Sequence, residues 1–256
     1  DRGLRQEVYE AYITRASELG PQAGQFDNTG LVQKILEDRI ALANLLGFEQ
    51  FSGLSLATKM AESPDAVMTF LLDLSNHSKS VAEQDFDDIA RYGLEALGLS
   101  SIHPWDVAFC GDRLKRHRFD LSDEDLRPYF PVQKVIDGLF EIVQRIFGIE
   151  VIPVTDMSVW HPDVTTYLIR RQGVPLARFY FDLYARAKKR GGAWMADCRC
   201  RRQDPAHGLT LPVAFLTCNF APPVNDQPAL LSHDDVVTLF HEFGHGLHHM
   251  LTQVDC

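Results

Sequence analysis

The spacing of apolar residues along the 256 residues changes period near Gly148, and that change limits the folds open to the chain. Before it, apolar side chains recur at three- and four-residue steps. Leu4, Val8, Tyr9, Tyr12, Ile13 and Ala16 form one stripe, predicting a helix to Leu19 that Gly20-Pro21 ends. Val32, Ile35, Leu36, Ile40, Ala43 and Leu46 form a second, with capping candidates Asp27, Asn28 and Thr29 before it and Gly47 after it. Ser63-Pro64-Asp65 opens a third helix, continued by Val67, Phe70, Leu71 and Leu74. From Pro131 the run Val135, Ile136, Leu139, Phe140, Val143, Ile146, Phe147 reads as another, closed by Gly148. Such stripes are expected to face a core rather than a cofactor.

After Ile149 the segments 150–154, 164–170, 176–183 and 211–220 are rich in Val, Ile, Phe, Tyr and Thr and are separated by Pro, Gly and Asp, so they are expected to be strands. The polar, basic stretch from Asp197 to Gly208 is expected to be a hairpin or surface loop. The fold class that follows is mainly α with a small β-sheet. Residues 1–148 form a helical region, and 149–256 a small sheet with one further helix in the same mixed domain.

The closing helix carries the chemistry. Ser232 with Asp235 three residues on forms a capping box that starts it at His233, and Val236, Val237, Leu239, Phe240, Phe243, Leu247, Met250 and Leu251 give it a wide apolar surface expected to be largely buried. Into this are set His241, Glu242, His245, His248 and His249. Residues four apart differ by about 40° around a helix and about 6 Å along it, so the imidazoles of His241 and His245 can converge on one ion. Glu242, about 100° round from His241, is turned too far to share that ion but can reach a water on it. Zinc lowers the pKa of bound water to roughly 7, and Glu242 would take its proton during attack on a peptide carbonyl and hand it to the leaving amine. A helix that happens to carry two surface histidines would need neither the carboxylate at that position nor the apolar setting. Phe243 and Gly244 are expected to be packing residues, Gly244 admitting a close neighbour. His248, about 10 Å along the axis from His241, is expected beside the ligands or in the core, and His249 to be an ordinary side chain. A third histidine six residues after His245 is excluded, because Leu251 stands there.

Composition removes other functions. A formal net charge of -10 with scattered Lys and Arg leaves no basic face for nucleic acid, and the stretch Lys188-Lys189-Arg190 with Arg199, Arg201 and Arg202 reads as a solvated loop. The longest apolar run, 135–149, is broken by Asp137, Glu141, Gln144 and Arg145, so no membrane span is expected, and no secretory signal opens the chain. Its first residue is Asp1 rather than Met, so the natural N-terminus is expected elsewhere. Five cysteines, Cys110, Cys198, Cys200, Cys218 and Cys256, make no regular framework and suit a reducing compartment. Cys198 and Cys200 are spaced too closely for the usual zinc or redox pair and are expected to be incidental thiols.

The run from Pro228 to Phe240, leading into His241-Glu242-Phe243-Gly244-His245-Gly246-Leu247-His248-His249, resembles the active-site segment of the thimet oligopeptidase family of zinc metallopeptidases, most like its bacterial members. Phe181 to Arg186, Lys189 to Trp194, Leu216 to Phe220, Leu56 to Ala61 and Leu126 to Pro131 are similar to that family too, so the likeness spans nearly the whole chain. The resemblance implies a cytoplasmic, zinc-dependent endopeptidase acting on short peptides in a deep cleft, with a zincin-like catalytic region inside a helical oligopeptidase fold. It makes His241 and His245 metal ligands and Glu242 the catalytic glutamate. The family's third ligand is a Glu on a following helix, roughly two dozen residues past the second His. That position and the family's later substrate loop fall beyond Cys256, so the chain is expected to be a central portion with one incomplete zinc site and little activity alone. The alternative is a non-catalytic peptide-binding or assembly fragment that keeps the metal helix as a relic. The strand 216–220 could line the cleft and pair with substrate backbone, or lie inside the sheet. Asp182, in an apolar strand, is expected to be a structural hydrogen-bond acceptor rather than a functional carboxylate.

Overall fold

The computed structural model describes residues 1–206, 208–225 and 227–254; the loop position His207 and the thiol Cys256 lie outside them. The described chain forms two compact units, 1–121 and 122–256.

The first unit is helical: α1 (Arg2–Ile13), α2 (Thr29–Leu45), α3 (Phe51–Leu56), α4 (Pro64–Glu95) and α5 (Pro104–Phe119). The starts of α2 and α4 follow local chemistry. Asp27 Oδ1 accepts from the Thr29 amide at 2.9 Å, and Ser63 Oγ accepts from the Ala66 amide at 3.1 Å with Pro64 in the first turn. Gly47, just past α2, takes the left-handed φ of 82°. Helix α1 stops six residues short of the predicted Leu19. Thr14 Oγ1 donates to the Glu10 carbonyl at 2.6 Å, Ser17 Oγ donates to the Thr14 carbonyl at 2.8 Å, and Ala16 turns to φ 54°, so hydroxyls compete with the helical ladder before Gly20 is reached. Asp106, fully buried, ties α1 to the start of α5 by accepting from Arg2 at 2.8 Å, Arg5 at 3.0 Å and the His103 amide at 3.1 Å. The Arg2 guanidinium, and after it Arg5, hold the Asp106 carboxyl well below the usual carboxylate range against the opposing effect of burial.

The stripes of this unit do not face a core as expected. Leu4, Val8, Tyr12, Ile13, Val32, Ile35, Leu36, Ile40, Phe70, Leu71 and Leu74 are all exposed, and of the second stripe only Ala43 is buried. Periodicity places these side chains on one face of each helix, and burial needs an opposing surface as well.

The second unit opens with the short α6 (Asp123–Leu126), a 3-10 turn over Arg127–Tyr129 and α7 (Val132–Phe147), which ends at Gly148 with φ 62°. Strands β1 (Glu150–Val154), β2 (Thr165–Arg171), β3 (Val174–Tyr184), β4 (Trp194–Arg199), β5 (Arg202–Asp204), β6 (Gly208–Thr210) and β7 (Val213–Phe220) follow, then α8 (His233–Met250). Among the described residues the main sheet has the order β1-β2-β3-β7-β4, with β3 and β7 parallel and the other pairs antiparallel, while β5 and β6 form a separate hairpin. The four expected strands are present, and the expected hairpin is β5 with β6. The polar stretch beginning at Asp197 also holds the end of β4, a strand the composition does not reveal.

Both long helices lie on one face of the sheet. Val135, Ile136, Leu139 and Val143 of α7 and Leu239, Phe243, Leu247 and Met250 of α8 pack with Ile169, Ala177, Phe179, Phe181, Ala214 and Leu216. Phe140 lies 6.2 Å from the ring of Phe181 and 6.2 Å from that of Phe243, which in turn is 5.5 Å from Phe179. The segment before α8 is clamped to the start of α7, as the Val132 amide donates to Ala229 O and the Leu231 amide to Phe130 O, each at 2.9 Å. The whole is mainly helical with a small mixed sheet.

Candidate metal centre

The helix that carries the histidines is fixed at its start by the expected capping box. The Ser232 amide donates to Asp235 Oδ2 at 2.9 Å, and the Asp235 amide donates to Ser232 Oγ at 3.1 Å. One face of α8 is buried on the sheet, and the other is open, with His241, Gly244, His245 and His248 exposed and Val237 54% exposed. The expectation of a largely buried helix therefore holds for one stripe only. Nothing lies within 4 Å of where a Gly244 side chain would begin, so the close-approach role expected there falls to Gly246, whose Cβ would stand 2.9 Å from Leu216 Cδ2.

On the open face His241 and His245 meet, with Nε2 atoms 3.0 Å apart and rings crossed at 84°. Two nitrogens each about 2.0–2.1 Å from one tetrahedral zinc lie about 3.3 Å apart, so the pair fits the donor set of such an ion. Among the described residues no group of three or more His, Cys, Asp or Glu side chains stands close enough to enclose a metal. Glu242, half-buried, lines a cavity of about 710 Å³ together with His245, His248, His249 and Thr252 on one side and Ala193, Trp194, Met195 and Asp197 on the other. Four of those residues belong to or adjoin β4, the sheet's edge strand, and form the wall opposite α8. The Cys218 thiol, buried in β7, is pushed up to about 12 by burial first and the Glu242 charge second.

His248, expected beside the ligands or in the core, is exposed in this cavity. His249, expected to be ordinary, donates from Nε2 to the Arg199 carbonyl at 3.0 Å and so ties the end of β4 to α8. Within 216–220, β3 pairs with Leu216, Thr217 and Phe220 and β4 with Leu216 and Thr217, so the start of this stretch lies inside the sheet. Asp182 is an acceptor, as expected: 4% exposed, it receives Arg186 at 2.6 and 2.8 Å, Lys189 at 2.9 Å and Trp160 Nε1 at 3.1 Å. Burial works to raise its carboxyl, but Arg186, Lys189 and Trp160 outweigh it and hold it down at about 2. Cys110, Cys198, Cys200 and Cys218 are free thiols.

A His-Glu-x-x-His helix laid on a small sheet beside an open cavity is the arrangement of metal-dependent peptidases. The chain belongs to Peptidase family M3, whose model matches residues 1–256. Over its whole length it is 48% identical to oligopeptidase A of Escherichia coli (strain K12), of which it covers 38%. Similarity extends to the probable cytosolic oligopeptidase A of Arabidopsis thaliana, at 41% identity over all of this chain and 37% of that protein. It extends also to the dipeptidyl carboxypeptidase of Escherichia coli, at 36% identity over 97% of this chain and 36% of that protein. The chain thus spans 38% or less of these three curated relatives.

Proposed function

We propose that this chain is the metal-binding and catalytic part of a zinc-dependent endopeptidase that cleaves short peptides, with His241 and His245 as metal ligands and Glu242 as general base. The observation that carries the reading is the pair of Nε2 atoms 3.0 Å apart, with the Glu242 carboxylate next to His241 in sequence and lining one cavity with His245. Zinc held by these imidazoles would supply Lewis-acid polarisation of the scissile carbonyl and acidify water. Glu242 accepts the proton of the attacking water and returns it to the leaving amine. The edge of β4, with Trp194 at its start, lies along the cavity and offers backbone amides and carbonyls to an extended peptide, which would add to the sheet there. The name oligopeptidase A, borne by relatives 48% identical over the whole chain, supports short peptides as substrates. Four free thiols among the described residues accord with a reducing, cytoplasmic setting.

Peptide hydrolysis by the protein as its natural gene encodes it, compared with Glu242→Gln, is the decisive test. Loss of the base is expected to lower kcat by roughly 10²- to 10⁴-fold while bound zinc is retained. Equal rates for the two would end the assignment. The 256 residues by themselves, with two imidazoles toward an ion that prefers at least three protein ligands, are expected to bind zinc weakly and to turn over little. Zinc titration of this chain with and without His245→Ala checks that, and tight stoichiometric binding would contradict it.

A further inference from the structure

The turn that leads into β4 is held by a buried cation. Lys189, with a side chain 5% exposed, places Nζ 2.9 Å from the Asp182 carbonyl, 2.9 Å from Asp182 Oδ1, 2.7 Å from the Tyr184 carbonyl and 2.6 Å from the Cys218 carbonyl. Those acceptors lie near the C-terminal ends of β3 and β7, where the chain leaves the ladder and the backbone would otherwise go unsatisfied. From the other side Asn219 Nδ2 donates to Arg190 O at 2.9 Å and Gly192 O at 2.5 Å. The segment 185–193 is therefore held on both flanks immediately before Trp194, which pairs with Thr217 and begins the cavity wall. A buried charge is weak evidence for stability, since an apolar group of the same shape often serves as well. Here most of the ammonium's acceptors are main-chain carbonyls, so what it specifies is a backbone path.

We propose that Lys189, assisted by Asn219, is a positioning residue for peptide substrate, setting where the edge of β4 stands opposite Glu242 and His245. This rests on the peptidase reading above and names residues that act on the substrate wall from behind. Neither side chain lines the cavity, so their removal acts through the placement of residues 193–199.

Lys189→Met and Asn219→Ala, made in the protein as its natural gene encodes it, test this by steady-state kinetics on a short fluorogenic peptide and by amide hydrogen exchange. Both variants are expected to raise KM by roughly tenfold with kcat within about twofold, the pattern of lost binding common to ground and transition states. Exchange should quicken over 193–199 and stay unchanged in β1 and β2. An unchanged KM, or exchange that rises equally over all strands, would overturn the proposal. Should Lys189→Met fail to fold, Asn219→Ala decides alone, since it removes two bonds from a half-exposed side chain. If the unaltered protein cleaves no faster than Glu242→Gln, it is the peptidase reading that fails; if it cleaves and the variants keep its KM, it is the positioning role.

Discussion

Two glycines on one helix separate what the residue pattern reveals from what only packing reveals. Gly244 and Gly246 both sit in α8, yet a methyl group at the first meets open space and at the second meets Leu216, which is 1% exposed and has nowhere to go. Gly244→Ala is therefore expected to raise stability by about 1 kcal/mol through helix propensity, and Gly246→Ala to lower it by about 1–2 kcal/mol as overpacking outweighs the same gain. Urea unfolding of the two variants checks this, and the same sign for both would contradict it. That His241 and His245 meet was legible because helical geometry alone brings a residue and its fourth neighbour together. The roles of Gly244 and Gly246 were not, because what faces a glycine is set by a strand about thirty residues away. Acid provides a second residue-level test, at Asp182. Its folded carboxyl is held at about 2, below the ordinary value, so its contribution is present above the unfolded pKa near 4 and is lost as pH falls from roughly 4 through 2. Asp182→Asn should flatten the dependence of unfolding free energy on pH in that window, and a slope equal to that of the unaltered protein would show that the carboxylate contributes nothing there.

Elements with local signals were read well, and those defined by their neighbours were not. Ser232 and Asp235 announce the start of α8, Pro64 that of α4, and Gly148 the end of α7, because caps and turn residues act within a few positions. Strand β4, which forms one wall of the cavity, carries Asp197 and Cys198 and lacks the Val and Ile of the inner strands, so its composition reads as loop. It is a strand because β7 supplies a partner along Trp194 to Arg199 and because Asn219, Lys189 and His249 fix its ends. Helix α1 fails the other way, with a stripe that continues past the point where Thr14 and Ser17 turn the backbone aside. Ser232→Ala tests the strength of the local signal at the site itself. Losing this cap is expected to destabilise the second unit by about 1 kcal/mol, measured as a shift in the urea midpoint. No shift would mean that the clamp between residues 130–132 and 229–231 fixes the start of α8 without the cap.

Across the molecule the two units hold their helices by different means. In the second, α7 and α8 share an apolar interior with five paired strands, and Phe179, Phe181 and Phe243 are at most 1% exposed. In the first, α1 buries no side chain and α2 only Ala43, so hydrogen bonds within each helix and the Arg2 and Arg5 contacts to Asp106 carry much of the order. Short helices without a packed face are marginal in water, and local opening costs least where few apolar contacts must be broken. The amides of β3, β7 and α8 should thus exchange at least roughly 100-fold more slowly than those of α1 and α2 in the 256-residue chain. Hydrogen exchange followed by mass spectrometry reads this directly. Equal protection of α1 and α8 would mean that the exposed stripes find an apolar surface in solution, and adding a dye that fluoresces on such surfaces would then give no signal from the first unit.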